Sequence, residues 1–193
     1  MRAQFNWATA SRVFGIVNFN LLYRAFNFIN QTLARLGLQL PADEPQWSER
    51  TTALLRDLQL SHLRLAIRSD DPAASTIIRE AASRAASIGA RLVVALFVAD
   101  ADALPSLASR LADIDVDTWL VLDAEQKVSG PALAAAARAA FGSSARIGGG
   151  TDLYFTELNR ERPDPSVLDV VTFSLNPQVH AMDNQTIVQN LAA

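Results

Sequence analysis

Six short apolar runs recur along the chain at nearly constant spacing, and this period limits the fold more than any other feature. The runs begin near residues 37, 63, 91, 118, 145 and 169, so successive starts lie 26, 28, 27, 27 and 24 residues apart. They read Gly37–Leu40, Leu63–Ile67, Arg91–Val98, Thr118–Asp123, Ala145–Gly149 and Asp169–Ser174. Between them the pattern turns helical. Ser48 stands as an N-cap before Leu54, Leu55 and Leu58. Pro72–Ile88 opens on Asp71-Pro72 and closes at Gly89, with Pro near the start and Gly past the end. Ala103–Leu111 and Pro131–Phe141 repeat the plan, the second closing at Gly142.

Strand and helix alternating at a steady period imply parallel strands joined by crossover helices. Two architectures satisfy that: an open doubly wound sheet and a (β/α) barrel. Regularity favours the barrel. So does Pro41-Ala42-Asp43-Glu44-Pro45 after the first strand, where a dinucleotide fold carries a glycine-rich phosphate loop. The expected class is therefore α/β, a TIM-type (β/α) barrel with six βα units. A closed barrel needs two more, on the order of 50 to 60 residues, so the expectation is an incomplete barrel with its first and last strands as open edges. Self-association is one way to cover an edge.

Half of the fourteen aromatic residues fall in the first 28 positions, after which Ala, Leu, Arg and Asp dominate. This places a boundary near residue 33, with an aromatic-rich N-terminal segment, 1–33, ahead of the partial barrel domain, 34–193. The segment reads as packing material. It is not Lys/Arg-rich, as a membrane-surface helix would be, and its apolar stretch 13–29 is broken by Asn18, Asn20, Arg24 and Asn27. Met1-Arg2 is not followed by a signal-peptide apolar core, and a cytoplasmic location is expected.

Composition removes several chemistries. A net charge of -3 offers no basic footprint for nucleic acid. There is no cysteine, and two histidines, His62 and His180, are too few for a histidine-rich metal centre. Lys127 is the only lysine, placed past the fourth strand rather than in a desolvated pocket, which argues against Schiff-base chemistry. The G-x-S-x-G elbow of serine hydrolases is missing. No cofactor is expected, and no metal.

In a barrel, polar residues past the C-terminal ends of strands face the active site. Arg64 shares a strand face with Ala66 and Arg68, well placed to hold a substrate carboxylate or hydroxyls. Asp71 reads more simply as a helix cap. Asp123 at the end of the fourth strand suits either capping or function. The densest polar stretch follows the fifth strand, read as a loop opening at Gly148-Gly149-Gly150 and carrying Asp152, Glu157 and Asn159. Its bland alternative is a solvated surface loop, which Glu161, Arg162 and Pro163-Asp164-Pro165 certainly resemble. After the sixth strand, Asn176 precedes Pro177, and His180 and Asp183 follow. His62 lies at the opposite end and reads as structural.

The strings Gly148-Gly149-Gly150-Thr151-Asp152-Leu153-Tyr154-Phe155-Thr156-Glu157-Leu158-Asn159-Arg160-Glu161-Arg162-Pro163 and Val171-Thr172-Phe173-Ser174-Leu175-Asn176-Pro177-Gln178-Val179-His180-Ala181-Met182-Asp183 resemble the barrel domain of D-apionate lactonases. His62-Leu63-Arg64-Leu65 is similar to the same family's second strand. The resemblance spans roughly residues 35–193. It implies a TIM-type barrel related to glycoside hydrolases and hydrolysis of a branched sugar-acid lactone, a small-molecule substrate. Full-length members carry more chain.

Lactone hydrolysis needs an activated water, a stabilised oxyanion and a proton for the departing alkoxide. We expect Glu157 and His180 to share the acid and base roles without a metal. Asn159 and Asn176 would hold the carbonyl or ring hydroxyls, and Arg64, Asp123 and Asp152 would bind substrate. The alternatives are a glycoside hydrolase on the same barrel, which needs two flanking carboxylates, and an inactive barrel fragment.

Overall fold

The computed structural model describes residues 35–175 and 183–186. Six strands alternate with helices: β1 (Gly37–Leu40), α1 (Glu49–Asp57), β2 (His62–Arg68), α2 (Ala74–Ser87), β3 (Arg91–Val98), α3 (Leu104–Arg110), β4 (Thr118–Asp123), α4 (Pro131–Phe141), β5 (Ile147–Tyr154), α5 (Phe155–Arg160) and β6 (Val170–Ser174). The N-terminal segment 1–33 lies outside the described residues, and so do Asn176 and His180.

All neighbouring strands pair in parallel, and their spatial order is their order in the chain, β1 to β6. This order separates the two candidate architectures. A doubly wound sheet reverses direction at a switch point and carries helices on both faces. Here the order never reverses, so right-handed crossovers put every connecting helix on one face.

Side-chain alternation confirms the layering. Leu63, Leu65 and Ile67 of β2, Val94 and Leu96 of β3, and Trp119 and Val121 of β4 are buried in one cluster. Ile78, Ala81 and Ala85 of α2, Leu104 and Leu107 of α3, and Ala134 and Ala137 of α4 share it. The intervening residues form a second, smaller apolar layer on the other face: Ala95, Leu120 and Leu122, with Ala66, Val93, Phe97 and Val170 against them. Period-two alternation thus sorts each strand into a helix-facing set and an inner set.

The sheet curls toward that inner face. Arg64 on β2 reaches Asp152 on β5 at 3.3 Å. Three inter-strand steps would hold these strands about 14 Å apart in a flat sheet, farther than the two side chains extend end to end. The fold is therefore part of a (β/α) barrel of TIM type, and the inner face is the barrel interior.

Helix limits follow local chemistry. Ser48 caps α1, its hydroxyl accepting from the Thr51 N–H at 3.1 Å. Pro131 at the first turn of α4 needs no hydrogen-bond acceptor there, and Gly142 ends the helix in the left-handed region at φ 99°. Asp71 does not cap α2 directly. Its carboxylate accepts from the Ala73 N–H at 2.8 Å in the turn that leads into the helix.

The fifth strand departs from its sequence reading. The Gly148–Tyr154 stretch, expected to be loop from Gly148 onward, continues as strand and passes directly into α5. Glycine disfavours strands in isolation, but packing requires it here. A Cβ on Gly148 would strike Leu120 and one on Gly150 would strike the Thr172 carbonyl oxygen, while Gly150 also holds φ 128°. The close approach these glycines permit is that of neighbouring strands.

Candidate functional site

The C-terminal ends of β3, β4 and β5 enclose a cleft of ≈ 280 Å³. Phe97 and Leu122 form its apolar wall, and Asp123, Lys127, Ser129, Thr151 and Asp152 bring polar groups to it. This is the rim on which barrel chemistry is placed.

The wall after β4 is built by its own backbone. The Asp123 carboxylate accepts from the Glu125 and Gln126 N–H groups, both at 2.9 Å, closing a tight Asx-type turn. Buried Ser129 accepts from the Asp123 N–H at 3.2 Å through its hydroxyl, and its own N–H donates to the Gly150 carbonyl at 2.8 Å. The β4 loop is thereby stitched to β5, with Lys127 carried on the loop between them. Asp123 thus closes a turn of the loop and lines the cleft as well, while Gly130 stands at the N-cap of α4.

On the other wall, Thr151 is buried and accepts from the Leu153 N–H at 3.0 Å. Beyond it the β5–β6 pairing slips between Gly150 and Tyr154. The Ser174 hydroxyl donates to the Asp152 carbonyl at 2.7 Å across that slip. Asp152 is half exposed and faces Arg64, whose guanidinium also donates to the Gln39 side chain at 2.6 Å. Two sequence-derived candidates, Arg64 and Asp152, therefore meet directly, though they lie 88 residues apart in the chain.

Glu157 sits in the first turn of α5, largely covered, with a side-chain exposure of 20%. Arg160 donates to one carboxylate oxygen at 2.6 Å, and Lys127 Nζ lies 3.5 Å from the other. The second contact joins Glu157 to the cleft. Asn159 points elsewhere: two residues along a helix is about 200° of rotation, and its side-chain amide oxygen Oδ1 accepts from the Arg162 guanidinium at 3.0 Å on an exposed face. The structure does not bring Asn159 and Glu157 to a common pocket. His62 opens β2 at the opposite rim, hydrogen-bonded to the Ser61 hydroxyl at 2.7 Å.

Among the described residues no group of three or more His, Asp or Glu side chains is arranged to hold a metal ion. Nor is any helix among them long and apolar enough to cross a membrane. Lys127, Ser129 and Thr151 line the cleft without having been singled out in the sequence. Ser129 and Thr151 carried no signal there. Lys127 does carry one, its solitude among sixteen arginines, which by itself names no chemistry.

The family model described as "D-apionate lactonase, TIM barrel domain" matches residues 36–193. A protein named D-apionate lactonase, from Brucella anthropi, is 52% identical over 59 residues. That alignment covers 31% of this chain and 10% of the relative's length.

Proposed function

Because the chain belongs to the D-apionate lactonase family through its TIM barrel domain, we propose that it hydrolyses the ester of a sugar-acid lactone at this cleft. The observation that carries the reading is the position of the cleft: a small hollow with an apolar wall and several polar groups, at the C-terminal rim, inside the barrel domain of a lactonase family. A hollow of this size suits one sugar ring.

In the proposed reaction Glu157 takes a proton from water as the water oxygen bonds to the lactone carbonyl carbon. The carbon–oxygen bond of the ring then breaks, and His180 gives a proton to the departing ring oxygen. Arg64 and Asp152, opposed across the barrel interior, supply donors and acceptors for hydroxyl groups. Asp123 and Asn176 complete the binding set. The base-assisted route needs no metal, and the chain acts on a small neutral substrate in the cytoplasm.

The test is proton release from neutral aldonic γ-lactones by the full chain, with and without chelator, beside a panel of aryl glycosides. The reading expects lactone hydrolysis indifferent to chelator, and a loss of about 100-fold or more in Glu157→Gln. Cleavage of glycosides with lactones untouched would overturn it in favour of glycosidase chemistry.

A further inference from the structure

The chain has 17 basic residues by Lys and Arg count, and every one except Lys127 is arginine. That single lysine lies on the cleft. Among the described residues that line it, Lys127 is also the only cation, and Asp123, Glu125 and Asp152 are the acidic groups beside it on the lining. The nearby guanidinium groups are engaged. Arg64 donates to Gln39 and Asp152, and Arg160 donates to Glu157. Lys127 makes one long contact, 3.5 Å to Glu157, and its side chain is 66% exposed. An ammonium carries three donors on a flexible stem. It can keep Glu157 and still turn a donor into the cleft.

Ester hydrolysis raises negative charge on one atom, the carbonyl oxygen, as water adds. A donor aimed at that atom acts on the transition state more than on the neutral ground state. We propose that Lys127 is a catalytic residue of this cleft: its ammonium meets the oxyanion of the opening lactone while its contact with Glu157 keeps the base beside the attacking water. The inference rests on the lactonase reading. No proton leaves Lys127 in the step. The water proton goes to Glu157, the carbonyl π electrons move to the oxygen facing Lys127, and they return as the ring bond breaks.

The product carries a carboxylate where the oxyanion stood, so binding and turnover test the role separately. Lys127→Met and Lys127→Arg are compared with wild type for hydrolysis of a neutral γ-lactone and for calorimetric binding of an open-chain aldonate. Removing a donor of this kind should lower kcat of Lys127→Met by about 10- to 100-fold with KM little changed. Aldonate binding should weaken about tenfold, and Lys127→Arg should restore part of both. An active wild type whose Lys127→Met variant keeps kcat overturns the inference and leaves the lactonase reading standing. A wild type inert to lactones that binds aldonate through Lys127 overturns the lactonase reading and retains the anion contact. Aldonate binding indifferent to Lys127 overturns the inference in every case.

Discussion

At Arg64 a single guanidinium bridges strands that the ladder keeps apart, holding Gln39 on β1 and Asp152 on β5. The pair is partly exposed, at 27% and 50%, so its net contribution to stability is small, about 0–1 kcal/mol. Its proposed contribution to binding is larger, since hydrogen bonds from a charged donor contribute about 1.5–3 kcal/mol. Arg64→Met is expected to raise KM for the lactone about tenfold or more while the melting temperature stays within a few degrees. Steady-state kinetics beside a thermal melt checks both. Arg64 was legible because its strand has clear alternation. Asp152 was singled out as well, but their pairing was not legible, since nothing local links positions 64 and 152; curvature joins them.

His62 gives a pH prediction at the same scale. Burial, and the charge of Arg91 beside it, hold the imidazole below its usual value, with Asp117 acting the other way. The folded state thus binds the proton less readily than the unfolded chain, whose histidines titrate near pH 6.5. Stability from this residue is unaffected above that pH and falls as pH drops through 6.5 toward the lower folded-state value. Thermal melts between pH 7 and pH 5 should show a shallower decline in His62→Gln than in wild type. Parallel curves would show that His62 does not carry the dependence.

Among elements, β5 shows where sequence patterning stops being informative. Three successive glycines read as a turn because glycine seldom favours strand. The structure uses them to let Leu120 and the β6 backbone approach. That cause lies in neighbouring strands, so no window on β5 itself reveals it. Gly150→Ala combines a left-handed φ with a backbone collision, and should destabilise by about 1–3 kcal/mol or more, read as a shift in the urea midpoint. The start of β6 is pinned differently. The Asp169 carboxylate accepts from the Ile147 N–H at 2.8 Å and from Arg138 at 2.9 Å, and these contacts hold its pKa below the ordinary carboxylate range. Stability from this clip is present above the unfolded value, about pH 4, and disappears as pH falls through the lower folded value. Asp169→Asn should therefore flatten the acid limb of the stability profile below about pH 4, measured by chemical denaturation across that range. Strands β1, β3 and β4 and helix α4 were readable to the residue, because apolar runs bounded by Pro, Gly or Asp leave little freedom.

For the whole molecule, period and order together decide the architecture. The 24–28-residue rhythm was visible in the sequence, but it left two folds open. The unbroken β1-to-β6 order closes the question, because it leaves one face of the sheet for helices and the other for a barrel interior. The site was legible less evenly. The rim could be located from the rule that barrels work at strand C-termini, and Arg64, Asp123 and Asp152 gather there. Asn159, chosen for its neighbours in the chain, is turned away by helical rotation. Among the described residues β1 and β6 are the outer strands of the sheet, and they carry a further expectation. Leu38 on β1 and Val171 and Phe173 on β6 are exposed, and outer strands of this kind invite pairing. Light scattering after gel filtration should give a mass above that of one chain; a uniform monomer would remove self-association from the account.

The central claim is that the hollow above β3, β4 and β5 opens a lactone ring. Its most direct measurement is kcat/KM for a neutral aldonic γ-lactone, followed by proton release, in the wild-type chain and in Asp152→Asn. Asp152 lines the hollow and touches Arg64 but lies outside the packed core, so the variant should fold. The account predicts saturable hydrolysis by wild type and a reduction of about tenfold or more in the variant. Equal rates in the two proteins, with both folded, would contradict it.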